Sequence, residues 1–156
     1  MASGSTLAWR RAGVVAAAVI VLDQSAKAAI RGGVALGGQR SVIPGVLVLV
    51  HSQNSGVAFS ALSGSTVIVT LLALAVLGAL LAFFARFASQ PLLWLPAGLI
   101  AGGALGNLID RLRDGSVTDF IKLPDWPAFN LADSAITVGV VVLVLVIGRG
   151  GAARSS

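Results

Sequence analysis

Apolar positions in this chain run in long unbroken stretches, not in the alternating or one-faced patterns of a water-soluble fold. Four stretches, residues 12–30, 67–85, 92–109 and 131–147, approach the ~20 apolar residues that cross a bilayer core about 30 Å thick. The second is the cleanest, a Val/Leu/Ala run that stops at Arg86. The third follows Pro91 and carries Gly98, Gly102 and Gly106, small residues four apart that let a neighbouring helix approach closely. The first is interrupted by Asp23, Gln24 and Lys27. A removable leader would also place Arg10-Arg11 before an apolar run and Ala26-Lys27-Ala28 at a cut, but those three polar residues are poor company for such a site. The pattern predicts four transmembrane helices, which put both termini on one side.

Two connections are too long to be simple turns. Residues 32–64 far exceed the usual connection of about 4–6 residues, and long loops in compact proteins are usually functional. Within them, residues 41–50 are β-branched, too short to span, and bounded by Gly37-Gly38 and Asn54-Ser55-Gly56, so they read as strand. Residues 110–130 contain a second strand-like piece at 117–121, followed by Pro124 and Pro127. The expected fold is a membrane all-α protein, one domain over residues 1–156, with a small β-rich platform at about 32–64 between helices 1 and 2.

Composition agrees with lipid as the solvent. Hydrophobic residues make up 56% of the 156 residues and charged residues 11%, under half the share of about a quarter found in soluble domains. The net charge of +5 comes from cations scattered singly or in pairs, with no basic stripe for nucleic acid. Their count across the four spans is a tie. Arg10, Arg11, Arg86, Arg149 and Arg154 face one side, and Arg31, Arg40, Arg111, Arg113 and Lys122 the other. The first five lie in short tails and a tight turn, where the positive-inside bias counts most, so both termini are expected in the cytoplasm (N-in/C-in) and the long connections outside. With no Cys, one His and only Asp as acid, the chain offers no zinc-binding pattern, and no metal or other cofactor is expected.

Ionisable groups inside spans are expensive enough to need a reason. Asp23 and Lys27, four apart on one helical face, read as a structural ion pair near the outer end of the first span, with Lys27 reaching toward the interface. Asp119 and Asp133 are the sharper pair. They lie fourteen positions apart with two prolines between, which lets the loop fold back and bring the carboxylates together. One carboxyl would then hold a proton while the other stays charged, the arrangement that activates water against a carbonyl without metal or nucleophilic side chain. Taken singly, each has a plainer reading. Asp119 is an exposed loop acid, and Asn130 with Asp133 is a helix start, where an acid is favoured and Asp133 is the better candidate for the ionised partner. Asp110, Arg111, Arg113 and Asp114 read as an interfacial salt-bridge cluster, and His51 as structural. A serine peptidase lacks support, since no Gly-x-Ser-x-Gly is present. An ion or proton relay would show an internal repeat with paired broken helices, and none is visible.

The motifs occur jointly and in order. Asp23-Gln24-Ser25-Ala26-Lys27, Asn54-Ser55-Gly56-Val57-Ala58-Phe59-Ser60, Gly102 to Arg111 (GGALGNLIDR), Gly115 to Ile121 (GSVTDFI) and Phe129 to Ser134 (FNLADS) resemble the successive signatures of the bacterial lipoprotein signal peptidases, the signal peptidase II family. The resemblance covers Asp23 to about Gly139. It implies an aspartyl endopeptidase of the bacterial inner membrane, with its site near the outer, periplasmic face. Such an enzyme removes signal peptides from diacylglyceryl-modified prolipoproteins, N-terminal to the lipidated cysteine. The family's catalytic pair falls on Asp119 and Asp133, and its supporting residues on Asp23, Lys27, Asn54, Gly56, Gly106, Asn107, Arg111 and Asn130. Partners are then lipidated precursors and membrane lipids, with the protein a monomer. Ala26, Val57 and Thr118 depart from the family's usual Thr/Ser, Ala and Val without removing a carboxylate or amide.

Overall fold

A computed structural model of the chain describes residues 2–55 and 66–152. Four long helices dominate: α1 (Ala2–Gly33), α2 (Thr66–Phe87), α3 (Trp94–Asp114) and α4 (Leu131–Ala152). Among the described residues, three helices are long and apolar enough to cross a membrane: Gly4–Gly33, Thr66–Phe87 and Leu131–Gly148. Their large apolar side chains point outward; Val14, Leu71, Leu72 and Val144 are each more than 60% exposed, the signature of a surface written for lipid.

α3 differs because it is the central helix. It packs against α1, α4 and α2, and Ala97, Gly98, Ile100, Ala101, Gly102, Gly103, Gly106, Asn107 and Asp110 are all buried on it. A helix surrounded by protein needs close approach more than lipid-facing bulk. A side chain at Gly98 or Gly102 would meet the carbonyl of Ala12 or Ala16 on α1, and one at Gly103 would collide with the carbonyl of Ala132 on α4. The small residues read from the sequence as a close-approach surface thus face two helices at once.

One end of the bundle is apolar. Ala8 and Ala12 of α1, Phe84 of α2, and Ala88, Leu93 and Ala97 at and before the start of α3 form a buried cluster, with Leu143 and Val146 of α4 against it. Trp9 meets Phe84 edge-on at 4.6 Å, and Arg11 lies over the Trp94 ring at 5.6 Å. The start of α1, the end of α2, the start of α3 and the later turns of α4 therefore share this end.

The sheet lies at the other end. β1 (Gln39–Ile43), β2 (Leu47–Asn54) and β3 (Val117–Lys122) form an antiparallel sheet in the order β1-β2-β3. The expected single strand at 41–50 is instead a hairpin, because Pro44-Gly45 turns the chain. Gly45 adopts φ 73°, and Val46 N–H closes the turn on the Ile43 carbonyl at 3.0 Å. The expected strand at 117–121 is present as β3, paired to β2 with Ser52 opposite Asp119. Asp110, Arg111, Arg113 and Asp114 are not in a loop: α3 continues through Asp114 and stops only where Gly115, at φ 72°, gives its N–H to the Arg111 carbonyl. The first helix likewise exceeds the expected 12–30.

Replacing Gly103 with Val should lower the thermal midpoint of the detergent-solubilised protein, at a cost of about 1–3 kcal/mol, because the added carbons meet the α4 backbone, which cannot move aside as a side chain could. Val placed at Gly13, where nothing lies nearby, is the control and should leave the midpoint close to that of the wild type.

Candidate active site

The site forms where three elements converge. α3 ends at Gly115 and feeds β3, whose first four residues are all buried; Asp119 is the third of them. After β3 the chain turns at Pro124 and Pro127 and comes back. Phe129 lies against Ile121, with N–H to carbonyl bonds of 2.8 and 3.0 Å in the two directions. The next residue, Asn130, therefore sits beside Asp119, and α4 begins at once with Asp133 in its first turn.

Asn130 joins the two acids. Its side-chain Nδ2 donates to Asp119 Oδ1 at 2.7 Å, and its Oδ1 accepts the Asp133 N–H at 2.9 Å. Its own backbone N–H donates to Asp133 Oδ2 at 3.3 Å, completing a reciprocal cap of α4. Asn54, at the end of β2, donates to Asp119 Oδ2 at 3.0 Å, and Asn107 on α3 donates to Asp133 Oδ1 at 2.8 Å. Each carboxyl thus receives an N–H on both oxygens. Asp119 is 3% exposed, which corrects its reading as an exposed loop acid. Burial pushes its carboxyl from the ordinary 3.8 up to about 6; the Asn54 hydrogen bond opposes this and the charge of Asp133 adds to it.

Beneath the acids lies a buried ionic cluster. Lys27 and Asp23 are both 0% exposed, so Lys27 does not reach for the interface as the sequence suggested. Its ammonium donates to Asp23 Oδ2 at 2.8 Å, Asp110 Oδ2 at 3.0 Å and Asn107 Oδ1 at 2.9 Å. The physical reason is partnership across the fold: two carboxylates and an amide satisfy the ammonium where water cannot. Asp23 Oδ1 accepts the Ala132 N–H at 3.0 Å, and Asp110 Oδ2 accepts the Thr118 N–H at 3.1 Å. Asp110 belongs to this cluster and not to a surface one. Arg113 does pair with Asp114 at the surface, at 2.7 Å.

The remaining expected residues fall around the pair. Gly106 lies where a side chain would meet Asp23 Oδ2 at 2.9 Å, so glycine leaves room for that carboxylate. Arg111 lies within electrostatic reach of Asp133, Asp119 and Asp110; its Nη1 donates to the Asn107 backbone carbonyl at 3.5 Å, and its buried Nε has no hydrogen-bond partner among the described residues. Gly56 lies outside the described residues. His51 is buried in β2, its Nδ1 2.8 Å from the Val34 carbonyl, which fits a structural role. Sequence reasoning passed over Gln24, whose Nε2 lies 2.9 Å from Asp110 Oδ1, 3.0 Å from the Gly106 carbonyl and 3.2 Å from Asp23 Oδ2. Its place inside an apolar span, next to an acid, was the available signal.

Comparison with known proteins gives the arrangement a family. The model of the Signal peptidase (SPase) II family matches residues 15–148. The chain belongs to the signal peptidase II family. Among its relatives, the lipoprotein signal peptidase of Syntrophomonas wolfei subsp. wolfei is 45% identical over 129 residues, covering 83% of this chain and 87% of the relative. That of Staphylococcus carnosus is 38% identical over 135 residues, covering 83% and 85%. A solved bacterial membrane enzyme superposes with a TM-score of 0.82 at 33% identity, covering 87% of this chain and 91% of the other. Membership of the signal peptidase II family makes the protein a protease, and its apolar helices with membrane-enzyme neighbours make it a multi-pass membrane protein.

The raised proton affinity of Asp119 fixes the sign of a pH effect. A carboxyl whose folded value lies above its unfolded value contributes stability that is complete below about 4 and is lost as the pH rises through about 6. The thermal midpoint of the wild type should therefore fall relative to that of Asp119→Asn between about pH 4 and pH 7, measured in detergent at constant ionic strength. A constant difference across that range would contradict the raised value.

Proposed function

We propose that this member of the signal peptidase II family is an aspartyl endopeptidase that removes signal peptides from diacylglyceryl-modified prolipoproteins, cutting N-terminal to the lipidated cysteine. The observation that carries the reading is Asn130, whose carboxamide and backbone tie Asp119 and Asp133 into one hydrogen-bonded unit at the start of a long apolar helix. Two carboxyls so coupled share one proton between them. Asp133 takes a proton from a water molecule as its oxygen attacks the scissile carbonyl carbon. Protonated Asp119 donates a hydrogen bond to the carbonyl oxygen, which gains the electron pair of the C=O bond. Collapse of the tetrahedral intermediate breaks the C–N bond, and the proton held on Asp133 passes to the leaving amine. Arg111, whose buried Nε has no hydrogen-bond partner among the described residues, supplies a donor beside the reacting peptide, and the Gly56 region falls with the supporting residues.

In this reading all four helices cross the bacterial inner membrane as one domain, with both termini cytoplasmic and the sheet outside. α3, 21 residues long, extends about 31 Å at 1.5 Å per residue, enough for the hydrocarbon core. The site then lies at the outer end of the bundle, where a lipid-anchored peptide presents its cleavage point. The chain acts as a monomer, with no metal in the reaction.

The test is cleavage by the purified protein, with a chelator present, of a precursor bearing or lacking the diacylglyceryl group. Only the lipidated precursor should be cut. Asp119→Asn and Asp133→Asn should each lower kcat by about 10²–10⁴-fold or more while the protein stays folded. Wild-type rates in both variants would remove the dyad from the mechanism.

A further inference from the structure

Lys27 takes no part in the step described above, yet each of its three hydrogens has a fixed destination. An ammonium only donates, so the Asn107 atom 2.9 Å from it is the carbonyl oxygen. The Asn107 NH2 group is thereby turned to Asp133 Oδ1, at 2.8 Å. Reversing that amide would set NH2 against the ammonium and oxygen against the carboxylate, an unfavourable pairing at both ends. With the Asn130 N–H on its other oxygen, Asp133 meets donors on both sides, the surroundings that suit an ionised carboxylate.

Asp119 also meets two donors, the carboxamides of Asn54 and Asn130. The charge of Lys27 reaches both acids, and what Asp133 has in addition is the Asn107 amide held between it and Lys27. The charged groups facing Asp133 are Lys27 and Asp23 from α1, Arg111 from α3 and Asp119 from β3. Both cations bond Asn107, but Arg111 Nη1 donates to its backbone carbonyl at 3.5 Å, whereas Lys27 donates to the side-chain carboxamide that itself bonds the Asp133 carboxylate.

We propose that Lys27 is a positioning residue for hydrolysis: it locks the Asn107 carboxamide with its NH2 group on Asp133, and so selects Asp133 as the acid that takes the proton from water. The inference rests on the dyad reading above. Asp119 is left as the proton holder.

The test is the pH profile of kcat on a lipidated precursor for the wild type, Lys27→Met, Asn107→Ala and the double variant, with KM measured in each. In Lys27→Met the acid limb should move up by about one pH unit, a loss of about tenfold in rate on that limb, with KM unchanged. Asn107→Ala should move the same limb in the same direction. The double variant should do no more than Asn107→Ala, because Lys27 acts through the amide. An acid limb that stays in place in either single variant overturns the proposal. So do shifts that add in the double variant, which would mean that charge acts without the amide. If Lys27→Met does not yield folded protein, Asn107→Ala decides alone on the same criterion. Failure of the dyad reading is distinguishable, since Asp119→Asn or Asp133→Asn would then keep the wild-type rate.

Discussion

A single buried ammonium organises the end of this molecule that holds Asp119 and Asp133. Taking an ion out of water costs several kcal/mol, and removing one partner of a buried pair typically costs about 3–5 kcal/mol. Lys27 therefore exists at 0% exposure only because α1 and α3 bring it Asp23, Asp110 and Asn107. The two carboxylates have further oxygens to satisfy, and they do so on backbone N–H groups: Asp23 on Ala132, Asp110 on Thr118. Each of those residues immediately precedes one of the two acids of the proposed dyad. The start of α4 and the start of β3 are thus each pinned one residue before Asp133 and Asp119. An ionic cluster that looks structural sets the spacing of those two acids.

The same constraint explains why the central helix is the least lipid-like of the four. Asn107 and Asp110 must lie one helical turn apart and face α1, while Gly103 and Gly106 must let Ala132 and Asp23 approach. That buried face has no room for the Val and Leu that cover α2 and α4, and holds neither. Its charge and its glycines are tolerated because neighbouring helices, not lipid, surround it. The bulky apolar residues are spent where they meet hydrocarbon.

Lipid exposure is also what made most of the fold legible in the sequence. α2 and α4 read as unbroken apolar runs, and β3 as a β-branched piece beside a turn. The hairpin of β1 and β2 was less legible, because its strands are apolar on both sides of Pro44-Gly45 and the turn hides within a continuous run. Lys27 was misread because the usual fate of a lysine near a span end is to reach water, and Asn107, which keeps it inside, is 80 residues away. Asp110 was misread for the opposite reason: Arg111 and Arg113 offered nearby partners, although adjacent helical residues point in different directions. Asn130 and Asp133 form the helix cap that the sequence suggested, and the same two residues belong to the proposed site. The cap uses Asp133 Oδ2, leaving Oδ1 to Asn107.

That double use explains why the residue between the acids is asparagine. Position 130 must donate to Asp119 from one side-chain atom and accept the Asp133 N–H with another. Aspartate there could accept but not donate, and would set a third carboxylate against Asp119. Leucine could do neither, and would leave the first turn of α4 uncapped. Glutamine has the right atoms on a longer stem, which moves them out of a cap that closes only three residues ahead. Asn107 meets the same demand between Lys27 and Asp133. In each case the amide works because it has two unlike ends and its surroundings fix which end goes where. In the proposed mechanism the two amides give neutral side chains a way to set two neighbouring acids in unlike surroundings, with Lys27 linked to Asp133 through the Asn107 amide.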